Sequence, residues 1–206
     1  MPLLRQAVVN METARTPVRF EASTHSYWCG DRRLPSITAI IRKAGLSPTM
    51  AFASPVKGTA VHDITALYDL GETIAGLNPE QSAYLGGWIK AKAFLGITRF
   101  DEVEQPRADL EFGFAGTPDR VVKDTVIEIK TGEEKPFHRI QTAGQRVLVG
   151  RWIRKRLAVY LKPDGTFRIV NHDERPAMWL PDMNAFLNAL GCAAWRIKNE
   201  VFWEAD

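Results

Sequence analysis

Cysteine is scarce in this 206-residue chain: Cys29 and Cys192 are its only thiols. Two are too few for a disulfide framework, a four-cysteine zinc site or an iron–sulfur cluster. No run reaches the roughly eighteen apolar residues that a membrane-spanning helix needs, so no membrane association is expected. No G-x-x-x-x-G-K-[ST] segment occurs, and with it goes the phosphate cradle of an ATP-driven motor. No long apolar core follows the basic residue near the N-terminus. A signal peptide is therefore not expected, and a reducing cytoplasm is the expected compartment. Acidic residues are missing altogether from positions 139–156, a stretch that carries Arg139, Arg146, Arg151, Arg154, Lys155 and Arg156. Such a stretch suits either a tract that follows a phosphate backbone or a solvated basic helix end.

What is present describes a soluble globular chain, 45% hydrophobic and 25% charged. The length suits a single domain over residues 1–206 with a sizeable core, residues 1–16 being loosely ordered. The net charge of +3 allows an anionic partner without requiring one. Short strands are expected over Arg19–Glu21 and His25–Cys29, turning at Gly30-Asp31. Helices are expected over Leu34–Ala44 with Ser36 as N-cap, Ser54–Leu70, Pro79–Leu95, Pro136–Val149 and Pro181–Lys198. The stripe Val61, Ile64 and Leu67 (or Tyr68) gives the second helix a packed face. Phe100–Glu104, Asp109–Phe112, Phe114–Val122, Val126–Thr131, Arg156–Leu161 and Phe167–Val170 read as strands. Helices followed by a meander, a helix, a hairpin and a final helix make an α/β fold. The expected form is a single domain with a central mixed β-sheet flanked by helices.

The chemistry concentrates in the meander. If Lys123-Asp124 is a two-residue hairpin loop, facing residues sum to 247, so Asp119 lies opposite Glu128. Alternation then puts Lys130 on the face of Glu128. Two carboxylates so placed would have Cβ atoms roughly 4.5–5.5 Å apart and would repel. A divalent cation converts that repulsion into binding, because hard cations take carboxylate oxygens. With an amine alongside, this is the minimum equipment for metal-assisted phosphodiester hydrolysis. A lone E-x-K means little, since any half-buried strand produces it. The aspartate on the preceding strand gives it weight.

These residues, with others in order, resemble the PD-(D/E)xK nuclease superfamily in its RecB-like branch, especially phage-type exonucleases. Gly58-Thr59-Ala60-Val61-His62 is similar to the G-x-x-x-H helix motif, and Glu104 to the acidic residue of the first core strand. Gly116-Thr117-Pro118-Asp119 and Glu128-Ile129-Lys130 match the motif aspartate and E-x-K. Gln141 falls where the family carries Q-x-x-x-Y, and Gln145 stands at the tyrosine. His25-Ser26-Tyr27 and Pro35-Ser36-Ile37-Thr38 resemble the N-terminal region of phage members. The resemblance spans roughly residues 20–170, its core motifs 58–160.

The resemblance implies a restriction-endonuclease-like core and a Mg²⁺- or Mn²⁺-dependent deoxyribonuclease, an exonuclease in preference to an endonuclease, serving replication, recombination or repair. Asp119, Glu128, the Ile129 carbonyl and His62 are then metal ligands, the imidazole favouring Mn²⁺. Lys130, Gln141 and Glu104 join Asp119 and Glu128 as catalytic residues, Glu104 in an outer-shell position. Gly58 leaves room for a strand, and Ser36, Thr38, Arg139, Arg146 and Gln145 are DNA-binding candidates. Tyr27, Trp28, Phe52, Trp88 and Trp152 are candidates for stacking on bases. The implied partners are single- or double-stranded DNA ends and a separate helicase or recombinase, in the host cytoplasm for a phage-encoded protein. The alternatives are an endonuclease on the same fold, a non-catalytic nucleic-acid-binding protein, and a metal-independent interaction domain.

Overall fold

The computed structural model describes residues 18–47, 55–174 and 179–199. The expectations for residues 1–16 and Phe52 lie outside them. The first elements are β1 (Arg19–Glu21), β2 (Ser26–Cys29), β3 (Arg32–Leu34), α1 (Ile37–Lys43), α2 (Pro55–Leu70) and α3 (Pro79–Phe94). Then come β4 (Glu102–Val103), β5 (Arg107–Asp109), β6 (Phe114–Gly116), β7 (Arg120–Val122), β8 (Thr125–Lys130) and α4 (Phe137–Val149). The last are β9 (Lys155–Leu161), β10 (Phe167–Asn171) and α5 (Trp179–Lys198).

The main sheet has the order β10-β9-β8-β7-β4, with β8 and β9 parallel and the other neighbours antiparallel. Parallel neighbours need a long crossover, and α4 supplies it. Along β8 the side chains alternate between two cores. Ile127 and Ile129 pack with Val61, Tyr84, Trp88, Leu157 and Val159 under α2 and α3. Val126 packs with Val121, Val149 and Ile153, on the side covered by α4. A further cluster joins α1, α4 and α5 through Ile37, Ile40, Phe114, Leu148 and Phe186. The expected α/β architecture, a central mixed sheet flanked by helices, is the observed one.

Local chemistry explains the helix ends. Ser36 caps α1 by accepting from the Ala39 amide, and Asn78 with Gln81 forms a capping box on α3. On α2, Val61 and Ile64 are buried, whereas Leu67 is exposed and Tyr68 takes the inward position.

Two strand expectations and one about charge need correction. Phe114–Val122 is not one strand: β6 pairs with β5 in a separate two-stranded sheet, and only β7 joins the main sheet. The chain leaves the ladder at Thr117-Pro118, where proline has no N–H to donate. Asp109–Phe112 is mostly turn, because the Asp109 carboxylate accepts from the Phe112 amide and its carbonyl from Gly113 at φ 74°. The basic stretch 139–156 is not a continuous exposed tract. Arg156 is fully buried, paired with Asp173 and Asp182, and Arg139 also pairs with Asp182. Burial of a guanidinium demands such partners.

Candidate active site

The β7–β8 hairpin carries the register the two-residue loop implies: Arg120 faces Ile127, Val121 faces Val126 and Val122 faces Thr125. Lys123 takes φ 50° in the turn, and its amide donates to Asp101. Continued by one pair, this register sets Asp119 opposite Glu128 at the end of the hairpin. Asp119 Oδ2 accepts from the Ile129 amide at 2.6 Å, which fixes the carboxylate against β8.

Asp119 Oδ1 lies 3.4 Å from His62 Nδ1 on α2, and Glu104 Oε1 lies 3.5 Å from the same nitrogen. His62, Glu104 and Asp119 each offer a ligand atom within 4.8 Å of the others. Glu104 follows β4 in the left-handed region, φ 48°, a conformation costing a non-glycine residue about 1–2 kcal/mol. Its amide bonds to the Asp119 carbonyl at 3.0 Å, which compensates in part.

Glu128, close enough to Asp119 and His62 for their charges to act on it, also contacts α4. Its Oε1 accepts from Lys130 Nζ and, at 2.6 Å, from Gln141 Nε2; its Oε2 accepts from Gln145 Nε2. Lys130 Nζ also donates to Gln141 Oε1 at 3.1 Å. The two glutamines are four residues apart on one helix face, so both reach the same carboxylate. A carboxylate has about four lone-pair sites, and these donors fill both on Oε1 and one on Oε2. Glu128 thus orients the lysine and, among the described residues, keeps one acceptor position without a donor.

Electrostatics follow from the crowding of acids. Burial disfavours the charged His62 imidazole, but Asp119, Glu104 and Glu128 outweigh it and hold its pKa well above 6.5. Burial and the charge of Asp119 raise the Glu104 carboxyl to about 7, against the pull of His62 and Arg120. Burial also raises Glu128, helped by Asp119 and opposed by Lys130. Asp119 moves the other way: burial would raise it, but His62, Lys130 and the Ile129 amide together hold it low. One ionised carboxylate beside others that resist ionisation is what closely spaced acids produce. His62 and Glu104 are partly exposed, as is Lys130, so the group opens to solvent.

The remaining sequence candidates divide. Ser36 is a helix cap bonded also to the Thr38 hydroxyl, and it bridges to Ala115 in β6. Gly58 sits on α2 one turn before His62, with nothing among the described residues within 4 Å of where a side chain would start. Arg146 lies over the Trp179 ring at 4.1 Å, and Arg139 is held by Asp182. Trp88 is not available to a base: it is fully buried and donates to Asp69. Tyr27 is buried as well, its hydroxyl 2.9 Å from that of Thr117, two residues ahead of Asp119.

Asp69, Thr65 and Arg120 were not singled out in the sequence. Arg120 donates to Glu104 Oε1, the Asp119 carbonyl, Asp69 and Thr65. The signals were there: an arginine at the head of the apolar pair Val121-Val122, and Thr65 and Asp69 three and seven positions beyond His62 on one helix face.

Fold and site together define an α/β protein that gathers two carboxylates and an imidazole beside a clamped lysine at the end of a mixed sheet. No protein-family model matches the chain, and no curated protein matches it in sequence. Among solved structures, the chain is similar to a phage-related exonuclease from Haemophilus somnus 129PT. The two share 12% identity over 82% of this chain and 96% of that one, with a TM-score of 0.44.

Proposed function

We propose that this chain is a Mg²⁺- or Mn²⁺-dependent deoxyribonuclease that hydrolyses phosphodiester bonds, working as an exonuclease on DNA ends. The observation that carries the proposal is the convergence of His62, Glu104 and Asp119 within 4.8 Å, next to Lys130. The donor set fits the ion: carboxylate oxygens suit hard divalent cations, and one imidazole nitrogen favours Mn²⁺. His62, Glu104 and Asp119 would hold it, and the free position on Glu128 Oε2 makes that carboxylate a further ligand. A bound cation would polarise the phosphoryl oxygen and supply an activated water nucleophile.

The chain's own groups do the rest. Glu128 and Gln141 fix Lys130, with Gln145 holding Glu128, so that its ammonium stabilises negative charge as it develops on the phosphate. Asp119, tied to the Ile129 amide, keeps the acidic group in place without reorganising. Preference for DNA ends comes from the motif resemblance, as does a role in replication, recombination or repair beside a separate helicase or recombinase. Ser36, Thr38, Gly58, Arg139, Arg146 and Gln145 remain proposed DNA contacts or supports.

The test is digestion of end-labelled linear and closed circular DNA, single- and double-stranded, with Mn²⁺, Mg²⁺ or EDTA. Loss of linear DNA from its ends with intact circles supports an exonuclease. Opening of circles assigns the chain to the endonucleases. No cleavage with either metal rejects the enzyme.

A further inference from the structure

A second set of charged groups lies behind the candidate metal centre, closed off from solvent. Arg120 and Asp69 are both fully buried. The guanidinium has five N–H donors in a rigid fork. Nε donates to Asp69 Oδ2 at 2.7 Å and Nη2 to Thr65 Oγ1 at 3.1 Å. Nη1 reaches both Glu104 Oε1 at 3.1 Å and the Asp119 carbonyl at 2.6 Å. The guanidinium carbon lies 5.5 and 5.8 Å from the ring centroids of Trp88 and Phe100, which stack on each other. Asp69 is fixed in turn, since Lys92 donates to Oδ1 at 2.8 Å and Trp88 Nε1 to Oδ2 at 2.9 Å. Thr65 also donates to the His62 carbonyl at 3.0 Å.

This network therefore touches all three candidate ligand residues: Glu104 at its carboxylate, Asp119 at its backbone and His62 through Thr65. A buried ion pair is weak evidence of stabilisation, because well-packed apolar residues often serve as well. Its fork geometry, however, fits a role in fixing where two acidic residues stand. We infer that Asp69 and Arg120 are positioning residues of the His62–Glu104–Asp119 centre, setting its affinity for a divalent cation through Glu104. This rests on the metal-centre reading above. Asp69 also neutralises Arg120, whose charge would otherwise oppose a cation nearby.

The experiment is calorimetric titration of Mn²⁺ into the full chain, with no DNA present, for wild type, Asp69→Asn, Glu104→Gln and the double variant. Asp69→Asn is expected to weaken Mn²⁺ binding about 10–100-fold, the usual effect of losing an outer-shell partner. In the Glu104→Gln background the same change is expected to cost less than about twofold, because coupled residues do not add. Unchanged affinity in Asp69→Asn overturns the inference, and so does an undiminished loss in the double variant. If wild type itself binds no Mn²⁺, the metal-centre reading fails and the inference falls with it. Should Asp69→Asn fail to fold, the Thr65→Val and Thr65→Ser pair decides. Weakened binding in valine, restored by serine, supports the network; equal affinity in valine and wild type refutes it.

Discussion

At the proposed metal site protons and a divalent cation would compete for the same atoms, which makes the pH dependence of metal binding the most direct test of the site. Glu104, raised to about 7 by burial and by Asp119, must be ionised to serve as a ligand. At pH 8 about nine-tenths of it is ionised and at pH 6 about one-tenth, so this group alone lowers apparent affinity roughly tenfold between those values. His62, held well above 6.5, must also lose its proton and steepens the dependence in the same direction. In the metal-free protein the sign reverses. The raised His62 pKa stabilises the fold below pH 6.5, and that contribution is lost as pH rises through the folded value. The assay is Mn²⁺ calorimetry at pH 6, 7 and 8, repeated in buffers of different ionisation enthalpy to count protons released. Wild type should bind at least about tenfold more tightly at pH 8 than at pH 6. Glu104→Gln should bind more weakly throughout and with a shallower slope. Equal affinity at pH 6 and 8, or an unaltered slope in Glu104→Gln, would refute the reasoning.

Asp119→Asn and Lys130→Ala should each lower cleavage by about 10²–10³-fold or more with an unchanged circular-dichroism spectrum; wild-type turnover in either removes it from the chemistry. Gln145→Leu deprives buried Glu128 of a donor, and urea unfolding at pH 7 should show a loss of about 1–3 kcal/mol. His172 is buried, its pKa lowered to about 4 by desolvation and by Arg156. Its contribution to stability is whole above pH 6.5 and falls by about 1.4 kcal/mol per pH unit as pH drops toward 4. His172→Asn should flatten the acid limb of the urea midpoint by that amount, and an unaltered limb counts against it. Gly144→Ala would set a methyl 2.7 Å from the Phe186 ring, so thermal unfolding should report a loss of about 1–3 kcal/mol.

The hairpin was legible because its determinants are local. Lys123-Asp124 set the loop length, the loop set the register, and the register sent Asp119 to Glu128. Helix ends were legible for the same reason, Ser36 and Pro79 being terminal signals in themselves. The break at Thr117-Pro118 was hidden because the apolar residues on either side alternate as one strand would. Arg156 was misread with its neighbours because charge in a list says nothing about depth. Its acids, Asp173 and Asp182, arrive from the far side of β10 and from α5. Arg120 and Asp69 stand 51 positions apart, and no pattern within either element names the other.

The crossover helix α4 has an entropic corollary. Glu128 and its amide donor Gln145 are 17 residues apart, joined by a single strand–helix unit, whereas Asp69 must cross three times that span to meet Arg120. Closing a short loop costs less chain entropy than closing a long one. The lysine clamp accordingly assembles from a contiguous piece of polypeptide. The proposed cation-holding half also needs α2, so closing it costs the chain more entropy than closing the amine pocket.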